Sequence, residues 1–190
     1  MSSPETGARV AESGHLERPT GVVHPVDVEG WFRDLGLEPT HRADREGISS
    51  WDLLLDGRRR FDLRFTVILD PTLGVICWAH YAPPISDMFR KSYRKLLRWN
   101  DEFPFAKFSV SEDERPLLAV ELPIELASAD QLGLAIARIL DIADRLIDES
   151  SHWIWQGGRA PEPGDRTSAN KPLLDRYAAR LAAPMDAPEA

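Results

Sequence analysis

The chain has 190 residues, 43% of them hydrophobic, with a formal net charge of −8. That is enough length and apolar content for one domain with its own core, and the charge has the wrong sign for a protein that neutralises phosphates over a broad surface, which argues against nucleic acid as the main ligand. The single cysteine, Cys77, forms no internal disulfide and belongs to no Cys/His cluster of zinc spacing; nowhere do about 18 uncharged apolar residues run together as a membrane span requires, and the first 25 residues lack the apolar stretch of a secretion signal, so the expectation is a cytoplasmic protein outside the membrane.

Residues 1–25 are expected to be a flexible N-terminal tail, because Met1 to Thr20 is rich in Ser, Pro, Glu, Gly and Thr and buries too little apolar surface to offset ordering entropy. Asp27 then reads as the cap of a short helix through Leu35, with Trp31, Phe32 and Leu35 on its apolar side and Gly36 ending it. Ile48 to Leu55, the turn pair Asp56-Gly57 and Arg60 to Leu69 read as a hairpin, since Phe61, Leu63, Phe65, Val67 and Leu69 alternate with Asp62, Arg64 and Thr66. After the turn residues Asp70 to Gly74, Val75 to Tyr81 completes a three-strand meander, with Trp51 and Trp78 taken as core. His41 falls in a loop.

Pro83-Pro84 breaks the chain, Ser86 caps a second helix, and Phe89, Tyr93, Leu96 and Leu97 share its apolar stripe to an end near Asn100. Phe105 to Ser111 and Leu117 to Leu122 form a second hairpin around Glu112 to Arg115. The last helix starts at Ser128, with Gln131 as its capping-box partner, and runs to about Ser150. The domain is thus 26–156, an α+β unit of order α-β-β-β-α-β-β-α, followed by a Pro/Ala-rich tail at 157–190. Within that tail Leu173, Leu174, Tyr177 and Leu181 recur at helical spacing, which predicts a short docking helix at 172–182. Composition nevertheless predicts that removing 1–20 and 164–190 together costs little stability.

Three features single out partner-binding candidates. The last helix has an apolar stripe (Leu132, Ile136, Ile139, Leu140, Ala143) widened by Leu134 and Ile142, beyond the roughly 100° sector that one sheet face needs. A partner subunit, the tail or other parts of the domain can cover the surplus. On the second helix Arg90, Arg94 and Arg98, with Lys91 and Lys95, make a basic face that suits an acidic partner segment or simply meets solvent. Trp153 and Trp155, just past the last helix, either anchor a partner or pin the chain end to its own core.

No catalytic pattern emerges. The five histidines lack ligand spacing, and there is no nucleophile elbow, phosphate-binding glycine loop or dinucleotide fingerprint. Cys77 and His80 are three apart on one strand, which sends them to opposite faces. No cofactor is expected.

The stretches Leu97-Arg98-Trp99-Asn100-Asp101-Glu102-Phe103-Pro104-Phe105-Ala106-Lys107-Phe108-Ser109-Val110 and Leu117-Leu118-Ala119-Val120-Glu121-Leu122-Pro123-Ile124, together with the element order, resemble the YbjN-like family, whose members are similar to type III secretion chaperones. The likeness spans about Asp27 to Ser150. It implies an antiparallel sheet flanked by helices, usually dimeric and without enzymatic activity. Secretion-chaperone relatives bind extended client segments, and YbjN-like members are linked to regulation or stress responses. In this setting Asn100 is expected to close the second helix as a C-cap. The resulting expectation is a protein-binding module, a homodimeric chaperone or regulator that offers sheet edge and apolar helix surface to another protein. The alternative is a small-ligand-binding regulatory domain or an enzyme with a dispersed site.

Overall fold

A computed structural model describes residues 22–84, 90–155, 158–160 and 165–182. The expected cap Ser86 and the apolar Phe89 lie outside the described residues, as does nearly all of the N-terminal tail.

The elements are α1 (Pro25–Leu35), β1 (His41–Arg45), β2 (Ile48–Leu55), β3 (Leu63–Asp70), β4 (Gly74–His80), α2 (Arg90–Glu102), β5 (Lys107–Val110), β6 (Pro116–Leu122), α3 (Ala129–Arg145), α4 (Ile147–Ile154) and α5 (Lys171–Ala182). All six strands pair antiparallel in one sheet of order β1-β2-β3-β4-β6-β5. The protein is therefore α+β, as its sequence implies, with one strand more than the periodicity reveals.

That extra strand, β1, replaces the loop expected around His41. Its five residues, His-Arg-Ala-Asp-Arg, are all exposed, so no apolar alternation marks it. Arg45 pairs with Ile48 across a two-residue turn in which Glu46 and Gly47 both have positive φ, the geometry of a type I′ hairpin. Glutamate is uncommon in that role, and the turn escapes a search for Asn-Gly or Asp-Gly. The next hairpin is looser than expected: Leu55 pairs with Leu63, and residues 56–62 form a loop. Phe61 accordingly leaves the strand and lies under the Arg166 guanidinium, 4.5 Å from its ring centroid.

One sheet face carries the core. Trp51, Leu53 and Leu55 on β2, Phe65 and Val67 on β3, Val75, Cys77 and Ala79 on β4, and Leu118 and Val120 on β6 are buried there. α3 packs over β4 and β6, α1 lies beside it, and α2 rests on β5. The opposite face shows Asp52, Leu54, Arg64, Thr66, Trp78 and His80, half-buried or exposed. Trp51 is core as expected; Trp78 is on the other face, because 77 and 78 alternate and Cys77 takes the inside.

Helix ends also differ from the sequence reading. α1 starts at Pro25, and Asp27 is the third helical residue, whose carboxylate accepts the His24 N–H at 2.8 Å. Leu97 is 68% exposed, because Tyr93, Leu96 and Trp99 set the buried stripe of α2 instead. α2 continues to Glu102, so Asn100 is helical rather than a left-handed cap. Its side chain bridges to β5: Nδ2 donates to the Phe108 carbonyl at 3.1 Å and Oδ1 accepts the Phe108 N–H at 2.5 Å. The long terminal helix is broken at Leu146 into α3 and α4. Ser128 does cap α3, accepting the Gln131 N–H at 3.2 Å.

The tail helix α5 belongs to the core, against the expectation that residues 164–190 are dispensable. Leu173, Leu174 and Tyr177 are buried, and α5 lies along α3. Gly133 makes the close approach possible, since a Cβ there would collide with the Tyr177 hydroxyl and sit 2.7 Å from Leu35 Cδ2. Polar contacts fix the register: Asn170 Oδ1 accepts the Asp56 N–H at 2.7 Å, Arg58 bonds Asp175 at 3.1 Å, and Arg180 bonds Asp130 at 2.6 Å.

Candidate functional site

The two edges of the sheet are not equivalent. At β5 the Asn100 amide saturates the backbone N–H and C=O of Phe108, so the middle of that edge is closed by the protein's own helix. At β1 every residue is exposed, and the strand is held from one side. Arg42 reaches α1 through Glu29 and bonds Asp44 at 3.1 Å; Asp44 in turn accepts the Ser49 hydroxyl at 2.6 Å, and Trp51 Nε1 donates to Glu29 at 3.4 Å. The Ser49 hydroxyl, then Arg42, hold the Asp44 carboxyl below the usual range.

Between α1 and β1 runs a groove of about 520 Å³. Phe32, Leu37 and Trp51 give it an apolar floor, with Arg33, Glu38 and Arg42 at the rim. An extended chain added to β1 places alternate side chains on either face of the sheet, which brings every second one to this side. The arrangement offers main-chain pairing and a side-chain recess together. Sequence patterning missed both, because an exposed edge carries no buried alternation; the one cue in the sequence is Gly47, a residue free to take the positive φ that the turn requires.

Of the residues singled out in the sequence, Leu134 and Ile142 are 7% and 3% exposed, covered within the chain itself. The wide apolar sector of α3 meets α5, so the tail supplies the covering that the sequence left open between tail, domain and partner. Arg94 and Arg98 are exposed on the outer side of α2, beside Leu97. Arg90 is the first described residue of α2, and Trp153 lies in α4. Trp155 is half-buried just past α4, a helix that Lys95 of α2 reaches through Glu149 at 3.0 Å. Leu134 and Ile142, buried against the rest of the chain, do not share a surface with the exposed Arg94 and Arg98.

Chemistry at Cys77 is quiet: the thiol is fully buried on the helix side of the sheet, and burial pushes it up to about 12. His80 opens on the opposite face. Among the described residues, no group of three or more His, Cys, Asp or Glu side chains is placed to hold a metal ion, and no helix is long and apolar enough to cross a membrane.

No curated protein matches the chain. Among solved structures it is similar to the Yersinia pestis type III secretion chaperone SycH, determined in complex with a stable fragment of YscM2, at 20% identity and a TM-score of 0.45, over 64% of this chain and 97% of that one. A family model described as YbjN, "Putative bacterial sensory transduction regulator", matches residues 24–151, from the cap of α1 into α4 and short of α5. With two thirds of its length in that match, the chain belongs to the YbjN family.

Proposed function

We propose that this protein is a non-catalytic protein-binding module, chaperone-like or regulatory, that takes an extended segment of a partner polypeptide onto the β1 edge. The observation that carries the reading is the asymmetry of the sheet: β5 is closed by Asn100, whereas β1 is open and flanked by an apolar-floored groove. Strand addition draws affinity from main-chain hydrogen bonds and specificity from pockets for alternate side chains, and this edge supplies both. The mixed rim of Arg33, Glu38 and Arg42 favours a partner segment that carries charges of both signs around one apolar side chain.

A second contact surface is the outer side of α2, where Leu97 stands exposed between Arg94 and Arg98 and suits an acidic segment; Arg90 extends the same row in sequence. Trp155 lines a different recess, at the end of the sheet, and Leu134 and Ile142 reach a partner only where α5 is lifted away. The module works in the cytoplasm as a homodimer, for which light scattering on the full chain should give twice the chain mass; the single-chain mass would refute the dimer. The edge itself is tested with a photo-crosslinking residue at Ala43 on β1 and, separately, at Ser109 on β5, each irradiated in native lysate. Polypeptide adducts at Ala43 and none at Ser109 support the reading, and equal labelling at both removes its basis.

A further inference from the structure

The loop between β2 and β3 is built around a buried carboxylate. Asp144 on α3 accepts the backbone N–H groups of Arg58, Arg59 and Arg60 at 2.5, 2.9 and 2.8 Å. That clamp forces the Arg60 side chain inward, where it is 6% exposed. Its Nη2 donates to the Tyr81 carbonyl and the guanidinium lies 4.6 Å above the Tyr81 ring, whose hydroxyl bonds Ser150 at 2.7 Å. Nη1 has no hydrogen-bond partner among the described residues. Among the described residues no carboxylate bonds this guanidinium directly, and the nearby Asp144 carboxylate, spent on three backbone N–H groups, offsets the cost of its burial only in part, which a bound anion would relieve further.

Arg60 forms part of the wall of a cavity of about 360 Å³ at the end of the sheet, near the small end of the range of roughly 300–1,000 Å³ usual for ligand sites. The other walls include Arg64 on β3, His80 on β4, Arg115 just before β6, and Phe61 and Trp155. Nδ1 of His80 is buried and likewise without a partner among the described residues. The acidic group in the lining is Asp62, and Arg166 already neutralises it with two bonds at 2.7 and 2.8 Å. Asp113 holds Arg115 from outside the cavity at 2.5 Å. Arg60, Arg64, Arg115 and His80 therefore line one small space together with two aromatic residues, while Arg60 Nη1 and His80 Nδ1 are themselves buried in its wall.

We infer that this cavity binds a small planar organic anion, a carboxylate or phosphate monoester on an aromatic body, with Arg64 and Arg115 holding the charged group, Arg60 adding its positive charge from within the wall, and Phe61 and Trp155 flanking the ring. A guanidinium matches either oxyanion with paired N–H donors, and an aromatic wall selects a flat apolar body. The site is separate from the β1 groove, and it holds whether or not a polypeptide binds there.

The test uses the full chain with phenyl phosphate and benzoate, and with inorganic phosphate and benzyl alcohol as the separated halves, read by calorimetry and by tryptophan fluorescence. Saturable binding of phenyl phosphate or benzoate is expected, about tenfold or more tighter than either half, and the stronger of the two identifies the oxyanion. Arg64→Ala and Arg115→Ala should each weaken it about tenfold, as loss of a charge-assisted contact does, while Lys107→Ala on β5 leaves it unchanged. Arg64 is exposed, so its variant keeps the fold, which circular dichroism verifies. The inference is overturned by no saturable binding at millimolar probe, by equal affinity for inorganic phosphate and phenyl phosphate, or by binding that survives both arginine substitutions together.

Discussion

Replacing Tyr177 by alanine removes a ring that is 1% exposed from the seam between α5 and α3. Large-to-small substitution of a buried aromatic costs about 3–5 kcal/mol through lost burial and the cavity left behind. In a domain of this size each kcal/mol shifts the thermal midpoint by about 2–4 °C, so the midpoint should fall by about 6–20 °C. Arg176→Ala, at an exposed neighbouring position, should change it by less than about 2 °C. The pairing of α5 with α3 is then tested through Gly133. Adding a methyl there gains up to about 1 kcal/mol of helix propensity but meets Tyr177 and Leu35, an overpacking cost of about 1–3 kcal/mol. Without Tyr177 one of the two obstacles is gone, so Gly133→Ala should be less harmful, or even favourable, in the Tyr177→Ala background. Urea melts of the four proteins measure the coupling, expected near 1 kcal/mol. A loss under about 1 kcal/mol for Tyr177→Ala, or strict additivity of the pair, would contradict the docking of α5 on α3.

Asn100→Ala should cost about 1–3 kcal/mol in a denaturant melt, because it strands the Phe108 N–H and C=O at the sheet edge; Asn100→Asp should recover little, since a carboxylate cannot donate to the Phe108 carbonyl. Asp144→Asn should cost about 2–3 kcal/mol and speed amide exchange at residues 58–60, the three donors its carboxylate collects. His80 is held below its usual range by burial, then by Arg115 and Arg64, against the weaker opposing pull of Asp113 and Asp52, with Arg60 and Asp62 also lining its cavity. An anion there favours the protonated imidazole, so affinity for benzoate, which stays ionised throughout, should rise as pH drops from about 7.5 to 5.5 and should do so less in His80→Gln. In the unliganded protein the same depressed group works the other way: below about pH 6.5 the unfolded chain binds the extra proton and stability falls until the folded His80 titrates.

What the sequence shows of this fold follows burial. Strands β2, β3 and β4 are legible because Trp51, Leu53, Phe65 and Val67 alternate against a helix-covered face, and α3 because it is apolar nearly all round. β1 is invisible for the opposite reason, an edge strand wet on both sides. The width of the α3 stripe did announce a second contact, and the spacing of Leu173, Leu174 and Tyr177 announced the helix that meets it. Asn100 shows the limit of local reasoning: its type suits a helix end, yet its partner is the backbone of the next strand, eight residues on. The two sites are the least legible part. The groove needs Phe32 and Trp51 brought together, their rings 5.8 Å apart, and the cavity needs Arg60 turned inward by a carboxylate 84 residues away.

Amide hydrogen exchange over β1 tests the account most directly, performed on the full chain with and without a peptide recovered by crosslinking at Ala43. Strand addition to the open edge predicts slowed exchange within residues 41–45 on peptide binding, with residues 107–110 of the closed edge unchanged. Protection confined to α2 or to β5, with 41–45 exchanging as in the free protein, would contradict it.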